Sequence, residues 1–202
     1  RISPKLGGRP VLPPTSYNHW SGIERALDEP FLRRLADRAA ELGVEYFVLD
    51  AGWYAGVEDD YNEGLGNWER VNPAMHPEGL GPAAEYVRSK GLKLGLWFEP
   101  EHARRNSDMA RSHPEWFFDT GTPDLHLDLS QRAAQDYIIG VLGGWIERLG
   151  LEWLKLDYNI GPRRYWEKAD PTGKVQFEYM AGLYRVLDAL MESYPRCLME
   201  TC

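Results

Sequence analysis

The stretch LEWLKLDYN at residues 151–159 reads as a strand that ought to be buried, yet it carries Lys155 and Asp157 near its end. Side chains on a strand alternate between faces, so Lys155, Asp157 and Asn159 share one face while Leu154, Leu156 and Tyr158 share the other. If the polar face were ordinary core, desolvating both charges would be costly before their pairing recovered any of it. The segment is therefore either a structural ion pair or the floor of an active site.

Outward from this stretch, short apolar runs alternate with amphipathic stretches of helical period, the βαβα pattern of a parallel sheet. After a proline-rich lead, PTSYNHW (14–20) reads as a first short strand. A helix is predicted over 30–42, with Phe31, Leu35, Ala39 and Leu42 on one side and Gly43 closing it. VEYFVLD (44–50) is the second strand, and a helix over 81–90 leads into LKLGLWFEPE (92–101), the third. A short helix over 107–113 precedes HLDLS (126–130), a brief strand whose Asp128 or Ser130 could cap the helix predicted over 131–149. That helix feeds the stretch at 151–159; a helix over 172–194 and a last strand, CLMETC (197–202), come after it. The loop from residue 55 to about residue 77, rich in Gly, Asp and Asn, is too long for a routine connection. It is expected to be a functional lid or a disordered insert, and Tyr61 and Trp68 favour the lid.

No internal repeat, low-complexity tract or linker divides the chain, so residues 1–202 are expected to form one domain. The succession suits an open doubly wound sheet or the first part of a (β/α)8 TIM barrel. The barrel is favoured because polar residues gather at the ends of consecutive strands, where barrel active sites lie. No Gly-x-Gly-x-x-Gly follows the first strand, which counts against a dinucleotide fold. A full barrel takes about 250 residues, so this chain is expected to hold an incomplete one, about the first five β/α units.

A composition of 43% hydrophobic and 12% aromatic residues supplies a sizeable core, and the net charge of −8 comes without a basic cluster. That balance argues against nucleic acid or a membrane as partner and for a small neutral molecule. No apolar run approaches the ~20 residues of a membrane span. The opening RISPKLGGRP has no hydrophobic signal core and no initiator methionine, so the chain is expected to be a piece of a longer protein. Cys197 and Cys202 fall on opposite faces of a strand, which disfavours a mutual disulfide, and low cysteine usage fits a cytoplasmic location without excluding secretion.

Three strand ends carry the chemistry: LDAGWY (49–54), LWFEPE (96–101) and LKLDYN (154–159). Together they set Asp50, Trp97, Glu99, Glu101, Lys155 and Asp157 round one rim. Alternation puts Trp97, Glu99 and Glu101 on one face, with a bend at Pro100, and pairs Asp50 with Tyr46. Carboxylates beside tryptophan and tyrosine suit a sugar, because aromatic faces cover the C–H side of the ring and carboxylates accept from its hydroxyls. Asp157 reads as a nucleophile held ionised by Lys155, or as half of a salt bridge tying strand to strand. Asp50 reads as a ligand for hydroxyls or as the cap of a turn ahead of Gly52. Trp97 and Trp53 read as core or as a platform, and Glu99 and Glu101 as acids or a solvated rim. His19, His76, His102, His113 and His126 show no metal-ligand spacing, so neither a metal nor another cofactor is implied. No Gly-x-Ser-x-Gly elbow or P-loop occurs.

The ordered blocks FVLDAGWY, GLGNWERVNPAMHPEGL, GLKLGLWFEPE, SHPEWFF, LDLSQRAAQDYI, LEWLKLDYN and LMETC resemble the melibiase-type α-galactosidases of glycoside hydrolase family 36, over nearly the whole chain. The resemblance implies a retaining glycosidase on a (β/α)8 barrel that releases terminal α-galactosyl residues from oligosaccharides. It assigns Asp157 as nucleophile, Lys155 and Asn159 as sugar ligands, Asp50 as ligand of the galactosyl hydroxyls, Trp97 as pocket lining and Cys202 as the cysteine ending the next strand. It implies an acid/base beyond Cys202, and it leaves a homo-oligomer of the full-length protein open.

Three positions depart from the family pattern. The second of two adjacent aspartates before Gly-Trp is Ala51, an arginine ahead of the Leu-Asp-Leu-Ser block is Thr122, and the aromatic between Lys and Asp is Leu156. A pocket built to hydrogen-bond a hydroxyl discriminates strongly, so such losses change which sugar is preferred. The alternatives are a related glycosidase or transglycosylase acting on another sugar, and a carbohydrate-binding protein without turnover.

Overall fold

A computed structural model describes residues 13–56, 61–119 and 121–202, with the backbone of 5–6 and 9–10. The rest of the opening decapeptide and residues 57–60 of the long loop lie outside the described residues. β1 (Lys5–Leu6) and β2 (Arg9–Pro10) form a short antiparallel ladder. Next come β3 (Ser16–Asn18), α1 (Trp20–Ile23), α2 (Glu29–Glu41), β4 (Tyr46–Leu49), α3 (Gly81–Ser89) and β5 (Lys93–Phe98). An excursion of β6 (His102–Arg104), α4 (Asp108–Ser112), β7 (Phe117–Phe118) and β8 (Asp124–Leu127) then leads to α5 (Arg132–Leu149). β9 (Trp153–Leu156), α6 (Arg163–Ala169), α7 (Lys174–Ser193) and β10 (Leu198–Thr201) complete the chain.

The principal sheet is five-stranded, in the order β10-β9-β5-β4-β3, and every pairing in it is parallel. Each crossover carries a helix, as parallel pairing requires. α2 starts where Asp28 accepts a hydrogen bond from the Phe31 amide at 2.7 Å, with Pro30 in its first turn. The register aligns Leu49, Leu96 and Leu154 across three strands, all buried in one core with Leu32, Ala36, Ala84, Val87, Ile138 and Leu142 of the helices. Trp153 and Lys155, on the other face of β9, stay partly exposed. On that inner face a side chain at Gly95 would meet Trp153 Cβ at 2.9 Å and Val48 Cγ2 at 3.0 Å, so glycine lets the neighbouring rows close together.

Two sequence expectations need correction. The strand expected over 126–130 forms earlier, as β8 over 124–127, and it lies in a separate antiparallel sheet of order β6-β8-β7, paired His102 with His126, and not in the principal sheet. Neither Asp128 nor Ser130 caps α5: Gln131 occupies the N-cap without a capping bond, its Nε2 donating instead to Glu115 O at 2.9 Å, and Asp128 accepts from the Ser130 amide at 2.9 Å.

The described part of the long loop is not a lid. Trp68 is 1% exposed, it receives a 2.6 Å hydrogen bond at its carbonyl from Trp145 Nε1, and its ring packs against Tyr54, Trp97 and Phe98. Opening it would expose a large aromatic at a cost on the order of 2–3 kcal/mol, which holds the segment shut as core. α6 has no counterpart among the helices that the sequence pattern predicts. Among the described residues no helix is long and apolar enough to cross a membrane.

Candidate functional site at the strand ends

The aligned leucines set the register of the residues beyond them. One residue past Leu49 and Leu96 stand Asp50 and Trp97, and Trp97 pairs with Lys155, which pairs with Glu200. The ladder continues past the formal strand ends, because the Asp157 amide donates to Phe98 O at 2.8 Å and the Cys202 amide to Leu156 O at 3.0 Å. Parallel register thus converts strand alternation into two rows on the inner face: Asp50, Trp97, Lys155 and Glu200, then Glu99, Asp157 and Cys202.

Asp50 is almost completely buried, and its carboxylate accepts three hydrogen bonds. Oδ2 accepts from Lys155 Nζ at 2.8 Å and from Asn18 Nδ2, while Oδ1 accepts from the Ala51 amide at 2.9 Å. Its own amide donates to His19 Nδ1 at 3.1 Å. The turn-capping and ligand readings of Asp50 are therefore not exclusive. Burial alone would weaken the basicity of Lys155, but the hydrogen bond and charge of Asp50 outweigh it and hold the ammonium above its ordinary range.

The expectation that Lys155 holds Asp157 ionised needs correction. Lys155 reaches across β5 to Asp50, the deeply buried acid that most needs a counter-ion. Asp157 is half-buried and takes its donors elsewhere: Trp97 Nε1 to Oδ2 at 3.0 Å and the Tyr158 amide to Oδ1 at 2.9 Å. Burial pushes its pKa up, but the hydrogen bonds from Trp97, Asn159 and the Tyr158 amide, with a smaller contribution from the Lys155 charge, bring it below the ordinary carboxylate value. It remains an anion at neutral pH. The Trp97 ring is core, 1% exposed, yet its N–H points into the site. Trp53 is core only, its Nε1 donating to Trp97 O at 2.8 Å.

Beyond the bend at Pro100 the two glutamates part. Glu99 stays on the inner face, accepting at Oε1 from the Asn159 amide at 2.5 Å and at Oε2 from Asn159 Nδ2 at 3.3 Å. Glu101 turns to the helix side, where it accepts from Tyr179 Oη at 3.2 Å and lines an apolar cavity of roughly 270 Å³ with Leu127, Leu156 and Tyr158, a cavity that Asp157 and Cys202 also border. There burial raises its pKa to about 7. It shares no face with Trp97, contrary to simple alternation. Cys202 is exposed and Cys197 buried, both as free thiols, and partial desolvation together with the Asp157 charge raises the pKa of the Cys202 thiol.

All six residues read from the sequence as site residues, Asp50, Trp97, Lys155, Asp157, Asn159 and Cys202, thus meet on one rim. Asn18, His19 and Glu200 also belong to it and were missed. Strand alternation at PTSYNHW and CLMETC carried their signal, since Asn18 and Glu200 fall on the same parity as the inner rows. Ala51 is packed into the core. Thr122 lies in the connection into β8, where its hydroxyl donates to Asp124 O at 3.0 Å and its carbonyl accepts from Arg105 at 2.8 Å. Among the described residues no cluster of His, Cys, Asp and Glu could hold a metal ion.

A parallel sheet wrapped by helices, with acids and a lysine converging at the carboxyl ends of its strands, defines a β/α half-barrel with its inner face furnished for a polar ligand. The melibiase family profile matches residues 6–202, and the chain belongs to that family. It is 33% identical to α-galactosidase Mel36A of Lactobacillus acidophilus and 35% identical to α-galactosidase AgaA of Geobacillus stearothermophilus, over 96% of this chain in each case. The chain spans 27% of the length of each of these relatives. The crystal structure of the Geobacillus stearothermophilus AgaA superimposes with a TM-score of 0.81 at 32% identity, covering 98% of this chain and 29% of that one. A variant of the same enzyme in complex with raffinose superimposes with a TM-score of 0.78 at 33% identity, over 94% of this chain and 28% of that one.

Proposed function

We propose that this chain is the nucleophile-bearing part of a (β/α)8 catalytic domain, about its first five β/α units, in a protein that hydrolyses terminal α-galactosyl residues with retention. Asp157 attacks the anomeric carbon and forms a covalent glycosyl-enzyme, which water then resolves. Lys155, Asn159 and Asp50 hold the ring hydroxyls, and Cys202 borders the sugar. The observation that carries the reading is the Trp97–Asp157 hydrogen bond beside the Asp50–Lys155 pair: a half-exposed, anionic carboxylate held in one orientation next to a buried ion pair. Its small-molecule partner is then a galactoside, as raffinose is for the AgaA variant.

Double displacement needs a second carboxylic acid about 5–5.5 Å from the first, to protonate the leaving oxygen and later activate water. The described inner-face acids are otherwise engaged: Asp50 by Lys155, Glu99 by Asn159 and Glu200 by Trp153 Nε1 at 2.9 Å. This supports an acid/base supplied from outside the chain. In the complete protein, Asp157→Asn is expected to lower kcat by at least about a thousandfold. Near-normal turnover of an aryl α-galactoside by that variant would reject the assignment.

A second reading, a related glycosidase or transglycosylase for another sugar, is favoured by Ala51. Its buried methyl group offers no acceptor where the family carries a second aspartate. A panel of α-galactoside, α-N-acetylgalactosaminide and β-L-arabinopyranoside substrates discriminates, with the highest kcat/KM on the α-galactoside expected.

A further inference from the structure

We propose that Glu99 and His102 form a positioning pair that fixes Asn159 in the orientation the sugar requires. The inference rests on the reading of Asp157 and Asn159 above and adds two residues that do not themselves touch the sugar. Glu99, at the end of β5, is 1% exposed, and both its oxygens are spent on one neighbour. Oε1 accepts from the Asn159 backbone amide at 2.5 Å and Oε2 from the Asn159 side-chain amide at 3.3 Å. A carboxylate this deeply buried needs a cation nearby. His102 supplies it: Nδ1 lies 3.2 Å from Glu99 Oε1, a contact of charges rather than an aligned hydrogen bond, and Nε2 lies 3.0 Å from Asp124 Oδ1. Arg104 Nη1 binds the same oxygen of Asp124 at 2.7 Å.

The consequence is directional. An asparagine amide has two N–H groups, and fixing one on Glu99 sets the heading of the other. The backbone clamp at the same residue also sets where the chain turns after Asp157. A connected path therefore runs from the small antiparallel sheet, through His102 and Glu99, to Asn159, two residues past the proposed nucleophile. The excursion carrying β6 and β8 has this use in addition to its packing.

Among the described residues, four charged or titratable groups face His102: Glu99 from the end of β5, Asp124 and His126 from β8, and Arg104 from its own strand through Asp124. Burial works against the imidazolium, but the two carboxylates outweigh it and keep the ring protonated above its ordinary range. When pH rises through that raised value the ring loses its charge, Glu99 loses its cation, and the hold on Asn159 loosens. Sugar binding therefore weakens on the alkaline side.

The test is steady-state kinetics of the complete protein on p-nitrophenyl α-galactoside. In Glu99→Gln a side-chain N–H replaces one acceptor and confronts the Asn159 amide donor to donor. KM is expected to rise about tenfold while kcat changes by less than about threefold. In an Asn159→Ala background, which keeps the backbone amide and loses only the side-chain amide, the same change is expected to cost less than in the wild-type background. His102→Gln is expected to flatten the alkaline rise in KM, and it decides the matter by the same KM split should Glu99→Gln fail to fold. A wild-type KM in the folded variants, or fully additive losses in the double variant, overturns the pair. A dead Asp157→Asn protein beside an unaltered Glu99→Gln protein overturns the pair alone, whereas turnover retained by Asp157→Asn defeats the reading of the reaction and the pair with it.

Discussion

At Trp97 a core aromatic and a polar contact meet in one side chain. The ring packs with Tyr54 at 6.0 Å and Trp68 at 6.1 Å between centroids, and that packing gives its N–H a fixed heading toward Asp157. A hydrogen bond to a charged acceptor contributes about 1.5–3 kcal/mol. Trp97→Phe keeps most of the apolar body and removes the donor, so the Asp157 pKa must rise and activity must fail first at low pH. We expect the acidic limb of the kcat/KM profile to move upward and kcat/KM to drop about tenfold; a profile that superimposes on the wild type would sink the idea. Glu101 offers a different test, because its folded-state pKa of about 7 lies above the unfolded value of 4.5. The folded state binds this proton more tightly, so the contribution to stability is full below pH 4.5, is lost as pH rises to about 7, and stays lost above that. The difference is on the order of 3 kcal/mol. Glu101→Gln is expected to raise the denaturant midpoint at pH 8 and leave it nearly unchanged at pH 5; equal shifts at both would refute the assignment.

Among the elements, α7 shows how closely a helix can approach. A Cβ at Gly182 would run into the carbonyl of Leu129, which also accepts from Gln135 Nε2 at 2.7 Å. Glycine lets α7 lie against the start of α5, and Gly182→Ala is expected to cost about 1–3 kcal/mol, read as a lower denaturant midpoint at unchanged slope. The strands of the principal sheet were legible because each apolar run ends in polar residues, and their parity correctly placed Asp50, Trp97, Lys155 and Asp157 on one side. β8 was legible as a strand but not as a member of its sheet. The alternation of HLDL is the same whichever partner it pairs with, and pairing with His102 is a long-range choice. The long loop misled for the same reason: a run of Gly, Asp and Asn suggests exposure, and only the aromatic cluster round Trp53 and Trp145 explains why Trp68 is core.

For the molecule as a whole, five parallel strands leave an inner face with Trp153 and Lys155 partly open. On the proposed reading, the separated 202-residue chain binds only part of a sugar and turns over no activated α-galactoside. Hydrolysis by the purified chain, abolished by Asp157→Asn, would contradict the need for an acid from outside it. The sequence by itself determined the succession of strands and helices, the face on which the polar residues converge, and the family to which these blocks belong. Those depend on side-chain period and order along the chain, which are local. Only the tertiary structure decided that Lys155 serves Asp50 and not Asp157, that Glu101 turns away to Tyr179, and that Glu99 and His102 stand behind Asn159. Register between strands, the bend after Pro100 and the reach of a long side chain across a neighbouring strand assign these partners, and none of the three is written in the spacing of residues.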